Sequence, residues 1–201
     1  LVADYLGRSL EEAQATPEPI GTFQSALSDL LEKMETFLAT LPEEGPHAEP
    51  LKELREGWKT FGADVDAYLS EAERLSGEWE AIGSDNTALH EAAGAMQPFA
   101  EQSRDLVKQA DQLYKLAGRA IETCEQEHGA KQHNQWATSS INKARKALDE
   151  ARQGAVHQLS QARYFYRQAH WLQERFPDAE LADVPGLVKL VATAEIADND
   201  W

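Results

Sequence analysis

One cysteine, Cys124, stands in 201 residues, so no internal disulfide can form and a reducing compartment suits the chain. No apolar run reaches the roughly 18 to 20 residues that a bilayer span requires, and the opening residues lack the charged-then-apolar order of an export signal. The expectation is a soluble, cytoplasmic protein without a membrane segment. Strand signals are scarce: there is no sustained apolar/polar alternation and no Asn-Gly hairpin. The 12 glycines lack the spacing of a dinucleotide or nucleoside-triphosphate cradle, which leaves nucleotide hydrolysis without support. Positive charge is also short, with 19 Lys/Arg against 35 Asp/Glu and a formal charge of -16, so the surface as a whole repels phosphate and anionic headgroups.

What the chain does have is helix-period hydrophobicity, in a composition rich in Ala, Leu, Glu, Gln, Lys and Arg. After a short opening helix, Thr16-Pro17-Glu18-Pro19 predicts a break. Phe23, Leu27, Leu30, Leu31, Met34, Phe37, Leu38 and Leu41 then form one stripe at three- and four-residue steps. Pro42, Gly45, Pro46 and Pro50 interrupt it and predict a tight reversal, since each proline removes an amide donor and disfavours helix in the residue before it.

A second stripe runs through Leu51, Leu54, Trp58, Phe61, Val65, Tyr68, Ala72, Leu75, Trp79 and Ile82, with the alternating steps of a coiled coil. Gly83 predicts a stop and Ser84-Asp85-Asn86 an N-cap, after which a third stripe passes from Leu89 to Cys124, kinked at Pro98. Residues 129–134 read as a turn. The last stripe, from Trp136 through Ile141, Ala144, Leu148, Ala151, Leu159, Ala162, Tyr166 and Ala169 to Leu172, is rich in small residues that let helices approach closely. Two helices of about 40 residues extend for roughly 60 Å at 1.5 Å per residue.

These elements predict an all-α fold of long antiparallel helices, forming a helical hairpin or coiled-coil arm or an elongated bundle rather than a compact globule. The organisation reads as N-terminal helices over residues 1–41, a long antiparallel helical arm over 42–176, and a tail over 177–201 in which Pro185 and Gly186 punctuate a short apolar stretch. The opening on Leu1, without Met, and the close on Trp201 read as the ends of a portion cut from a longer chain.

Charge is uneven along this plan. Residues 141–176 hold seven Lys/Arg (Lys143, Arg145, Lys146, Arg152, Arg163, Arg167, Arg175) and three acids, a local +4 that leaves -20 for the rest. With Tyr164, Phe165, Tyr166 and Trp171 interleaved, this stretch is the one candidate for nucleic-acid contact, through Lys143, Arg145, Lys146, Arg152, Arg163 and Arg167. The competing reading is a basic helix paired with its acidic neighbours. For a metal, Cys124 and His128 share a helical turn with His133 close behind, yet no second ligand pair completes a structural site. Cys124 as the end of an apolar stripe, with both histidines in a solvated turn, is the reading we adopt. His157 and His170 read as surface or interfacial, and the carboxylates as a solvated face. Catalytic, cofactor and metal residues are expected to be absent.

From about Ser103 onward, the run SRDLVKQADQLYKLAGRAIETCE and the stretch from WATSSINKARKALDE to the end resemble the modification subunit of type I restriction-modification systems. The most specific residues are Trp171 to Phe176 with Pro177 and Asp178, then Asp183 to Lys189, Glu195-Ile196 and Asn199-Asp200-Trp201. In that family this tail leads into a Pro-Gly-Arg-Tyr-Val-Gly element. The segments EPLKEL and LVADYL are similar, less specifically, to a long helical region that some members insert after the catalytic domain.

The resemblance implies an adenine-specific DNA methyltransferase as parent, using S-adenosylmethionine and assembling with a specificity subunit, a restriction subunit and DNA. The family's chemistry needs an Asn-Pro-Pro-aromatic motif and a glycine-containing loop for the methyl donor. Neither occurs here, so no catalytic residue carries over. Two rival classes remain beside it: a freestanding coiled-coil protein-protein interaction module, and a small helical metalloenzyme built on Cys124 and the nearby histidines.

Overall fold

The computed structural model describes residues 14–39, 45–82, 85–129 and 135–175, together with residues 8, 11, 12 and 177. Among these the fold is all-α. Helix α1 spans Pro17–Leu38, α2 Ala48–Ile82, α3 Asn86–Gly94, α4 Met96–Gly129 and α5 Gln135–Arg175.

The helices start and stop where backbone chemistry directs. Pro17 occupies the first turn of α1, where its missing N–H costs nothing. The expected break before it is a bend instead: residues 11, 12, 14 and 15 are helical, Thr16 keeps helical angles (φ -69, ψ -32), and its carbonyl accepts the Ile20 amide at 3.1 Å. Gly45, Pro46 and His47 turn into α2, with the Ala48 amide on the Gly45 carbonyl at 3.0 Å. Asp85 caps α3, its carboxylate accepting the Thr87 and Ala88 amides at 2.9 and 3.2 Å.

The third stripe is two helices rather than one kinked helix. Pro98 has no N–H for the Gly94 carbonyl and its ring crowds that position, so α3 ends at Gly94, Ala95 makes a turn, and α4 restarts with Pro98 in its first turn. The single 40-residue helix expected there is thus a 9-residue and a 34-residue helix, while α5 runs 41 residues unbroken.

The stripes meet in one continuous core that draws on all five helices. Its fully buried members include Phe23, Leu27 and Met34 of α1, Leu54 and Phe61 of α2, Leu89 of α3 and Leu159 of α5. Truncating one of these leucines to alanine costs roughly 2–5 kcal/mol, because the cavity left behind collapses only in part. Helix α5 packs along α4, α1 and α3, and α2 packs along α4. The alanines at 110, 117 and 120 of α4 and at 144, 151, 155 and 162 of α5 are all buried and permit the close α4–α5 approach.

Neighbours run antiparallel. Asp64 pairs with Gln109 and Tyr68 with Ser103 across α2–α4, and Arg152 pairs with Asp111 across α4–α5. Helices α1 and α2 approach less closely and are bridged by side chains: the Phe23 and Phe61 rings meet edge-on at 5.4 Å, and Arg55 pairs with Glu35 at 2.7 Å. Phe37, Leu38, Trp79, Trp136 and Leu172 have side chains outside the description, and the tail beyond Pro177 lies outside it altogether.

Candidate functional site

Helix α5 carries the six basic residues proposed from the sequence, and its geometry separates them. Lys143 and Lys146 are exposed, with Lys146 3.8 Å from Glu150 on the same helix. Arg145 is half-buried at the α4 seam, its guanidinium 3.7 Å from where a Cβ on Gly118 would lie. Arg152 is committed to that seam: it bonds Asp111 at 3.0 Å and Asp149 at 3.2 Å, and lies 4.4 Å from the centre of the Tyr114 ring. Arg163 is buried and Arg167 half-buried. A phosphate reaching Arg152 would have to displace two carboxylates and a ring.

The aromatic residues of the stretch divide in the same way. Tyr164 is exposed and meets Phe165 edge-on at 5.3 Å, Trp171 packs against the core, and Tyr166 is fully buried. The outward face of α5 therefore presents Lys143, Lys146, His157 and Tyr164, while the inward side uses Arg152 for helix pairing.

The feature that periodicity missed is a buried hydroxyl cluster. The Tyr68 hydroxyl lies 3.4 Å from that of Tyr166 and accepts from Ser103 at 3.3 Å, with the Thr16 side chain bonded to it as well. Tyr166 in turn packs on Phe99, ring centres 5.5 Å apart. Four segments that are distant in sequence converge on one point of the core. Burial pushes the Tyr68 phenol above its usual range, partly offset by its hydrogen bonds. The Tyr166 phenol is also pushed up, by burial and by Tyr68 beside it. Both are protonated at neutral pH and serve as hydrogen-bonding groups. A tyrosine on each of two stripes was the available signal, since a buried phenol needs a partner.

Cys124 is buried at the end of the α4 stripe. The His128 side chain and His133 lie outside the described residues, and among the described residues no group of three His, Cys, Asp or Glu is arranged to hold a metal. His170 sits 3.4 Å from Glu174 on its own helix, and His157 is exposed. Among the described residues no helix is long and apolar enough to cross a membrane. Comparison of the chain with family models, with curated proteins and with solved structures finds no match in any of the three.

Proposed function

We propose that this chain is the C-terminal helical region of a type I restriction-modification DNA methyltransferase subunit. It supports assembly with the specificity and restriction subunits in the cytoplasm, and it positions DNA for S-adenosylmethionine-dependent adenine methylation by a catalytic domain elsewhere in the parent. The observation that carries this reading is the resemblance that begins at about Ser103 and is most specific from Trp171 to Phe176, with Asp183 to Lys189, Glu195-Ile196 and Asn199-Asp200-Trp201.

The packing is compatible with such a role. Three helices grip α5, the element that leads into the resembling tail, and a helix so held is a rigid mount for whatever its ends engage. In this reading Lys143 and Lys146, at the α4–α5 end of the bundle, are the residues of the six best placed to meet a DNA phosphate.

The reading predicts a division of labour. Calorimetric titration of the chain with S-adenosylmethionine gives no saturable heat, because the methyl-donor loop and the Asn-Pro-Pro-aromatic motif are absent from its sequence. A saturable methyl-donor signal, or methylation of adenine by this chain alone, contradicts it.

A further inference from the structure

Two arginines of α5 fix how it lies along α4. Arg152 bonds Asp111 at 3.0 Å, and the Arg145 guanidinium lies 3.7 Å from where a Cβ on Gly118 would be. In the antiparallel register these contacts set, Lys115 stands level with residue 148 and Arg119 with residue 144. Lys115, Arg119, Arg145 and Lys146 therefore gather within about one helical turn, roughly 6 Å along the bundle.

The two α4 members of this cluster lay outside the basic stretch read from the sequence, because α4 as a whole carries six acids against four basic residues. Its charge is nevertheless sorted by face. Lys108, Gln112, Lys115 and Arg119 follow each other at four-, three- and four-residue steps, and all four are exposed. Between Lys108 and Arg119 the one acid is Asp111, and Arg152 holds it together with Asp149. Glu150 lies 3.8 Å from Lys146. Lys108, Lys115, Arg119 and Arg145 enter no ion pair among the described residues, and Glu122 and Glu125 bound the cluster on α4. Like charges gathered from two helices without a carboxylate among them draw an anionic ligand.

We propose that the α4–α5 edge formed by Lys115, Arg119, Arg145 and Lys146, extended by Lys108, is a contact surface for the phosphate backbone of duplex DNA, bound without reading its bases. Duplex DNA as the ligand rests on the reading above, whereas the place of contact rests on the two helices alone. The face itself decides between DNA and an acidic helix. Lys, Gln, Lys and Arg give a partner helix nothing apolar to bury, which a helix-on-helix contact requires, while a phosphate backbone needs only cations and hydrogen-bond donors. From Lys108 to Arg119 the edge runs about 17 Å, over which a duplex presents about ten phosphate charges, more than the five cations require. The formal charge of -16 repels DNA elsewhere and confines the contact to this edge.

The test uses the full chain and a fluorescent duplex of mixed sequence, with anisotropy measured over a salt series. The duplex binds, and binding weakens as salt rises. Lys115→Gln with Arg119→Gln lowers affinity about tenfold or more at low salt and flattens the slope of log affinity against log salt by about 2, since each phosphate contact contributes about 0.9. Lys52→Gln with Lys59→Gln, an equal loss of charge at exposed positions of α2, changes both far less. Circular dichroism of each variant checks that the bundle is intact, and Lys115→Arg keeps the binding of the parent chain. No binding of the duplex, equal loss from the two pairs, or competition by a Glu/Asp peptide as strong as by unlabelled duplex overturns the proposal. Loss of binding in Lys143→Glu with Lys146→Glu but not in the α4 pair overturns it too, and leaves the assembly reading standing, since complex formation with the specificity subunit judges that reading separately.

Discussion

The hydroxyls of Tyr68 and Tyr166, 98 positions apart in the sequence, lie 3.4 Å apart and join α2 to α5 in the core of the bundle. Tyr68 is the hub of this contact, since Ser103 and Thr16 also bond to it, whereas the Tyr166 hydroxyl meets that of Tyr68 and its ring packs on Phe99.

That asymmetry sets the first expectation. Tyr68→Phe leaves the buried Ser103 hydroxyl and the Tyr166 phenol without their shared partner and destabilises by about 1–3 kcal/mol. Tyr166→Phe leaves Tyr68 with its Ser103 and Thr16 contacts and costs less, about 1 kcal/mol. Urea unfolding of the two variants ranks them, and a larger cost for Tyr166→Phe contradicts the hub.

The same pair gives the fold an alkaline limit. Both phenols have folded pKa values above the unfolded value near 10, so their neutral form is favoured in the native state. Above that pH the unfolded chain gives up protons that the native state keeps. Stability is therefore fully present below pH about 10 and falls as pH rises above it, by about 1.4 kcal/mol per pH unit for each phenol. The double variant Tyr68→Phe with Tyr166→Phe, less stable at neutral pH, loses stability less steeply above pH about 10. Parallel slopes for the two proteins contradict the assignment.

Two glycines in helix interiors respond in opposite directions to alanine. At Gly154 a Cβ meets nothing within 4 Å, so Gly154→Ala stabilises by about 0.5–1 kcal/mol through helix propensity. At Gly57 the new methyl would lie 2.9 Å from Leu113 Cδ2, a side chain that is itself buried in the core. The overpacking outweighs the propensity gain, and Gly57→Ala destabilises by about 1 kcal/mol. Thermal unfolding of both variants tests the pair.

Arg152→Met removes an interhelical ion pair with Asp111, a contact to Asp149 and the Tyr114 ring contact at once. A loss of about 1–2 kcal/mol is expected, with Arg152→Lys only partly restoring it, since an ammonium lacks the planar fork that reaches two carboxylates over a ring. If DNA is bound in the assembled enzyme, Lys143→Glu with Lys146→Glu weakens it and flattens its salt dependence, while Arg152→Met changes it little. The reverse ranking would place the DNA contact on the α4 side of α5.

The helices were legible because their stripes are long and their ends carry strong chemistry. Ser84-Asp85-Asn86 reads as an N-cap choice after Gly83, and of the three Asp85 caps α3, through two amides. The kink expected at Pro98 is instead a break at Ala95, because a proline acts on the carbonyl four residues before it. At Thr16 the tertiary contact with Tyr68 holds helical angles that the following proline disfavours. Periodicity says which face is apolar but not which helix covers it, so the packing of α5 against α1, α3 and α4 at once was not visible. Arg152 and Arg163 looked like surface charge for the same reason, because nothing in their spacing tells of Asp111 across the seam or of the burial at Arg163.

The assembly role is tested most directly by titrating the purified chain with a type I specificity subunit and measuring mass by size-exclusion chromatography with light scattering, with duplex DNA run alongside at two salt concentrations. The account predicts a stable complex of defined stoichiometry between chain and specificity subunit. No complex with that subunit, with the chain instead associating with itself, would contradict it and favour a freestanding helical interaction module.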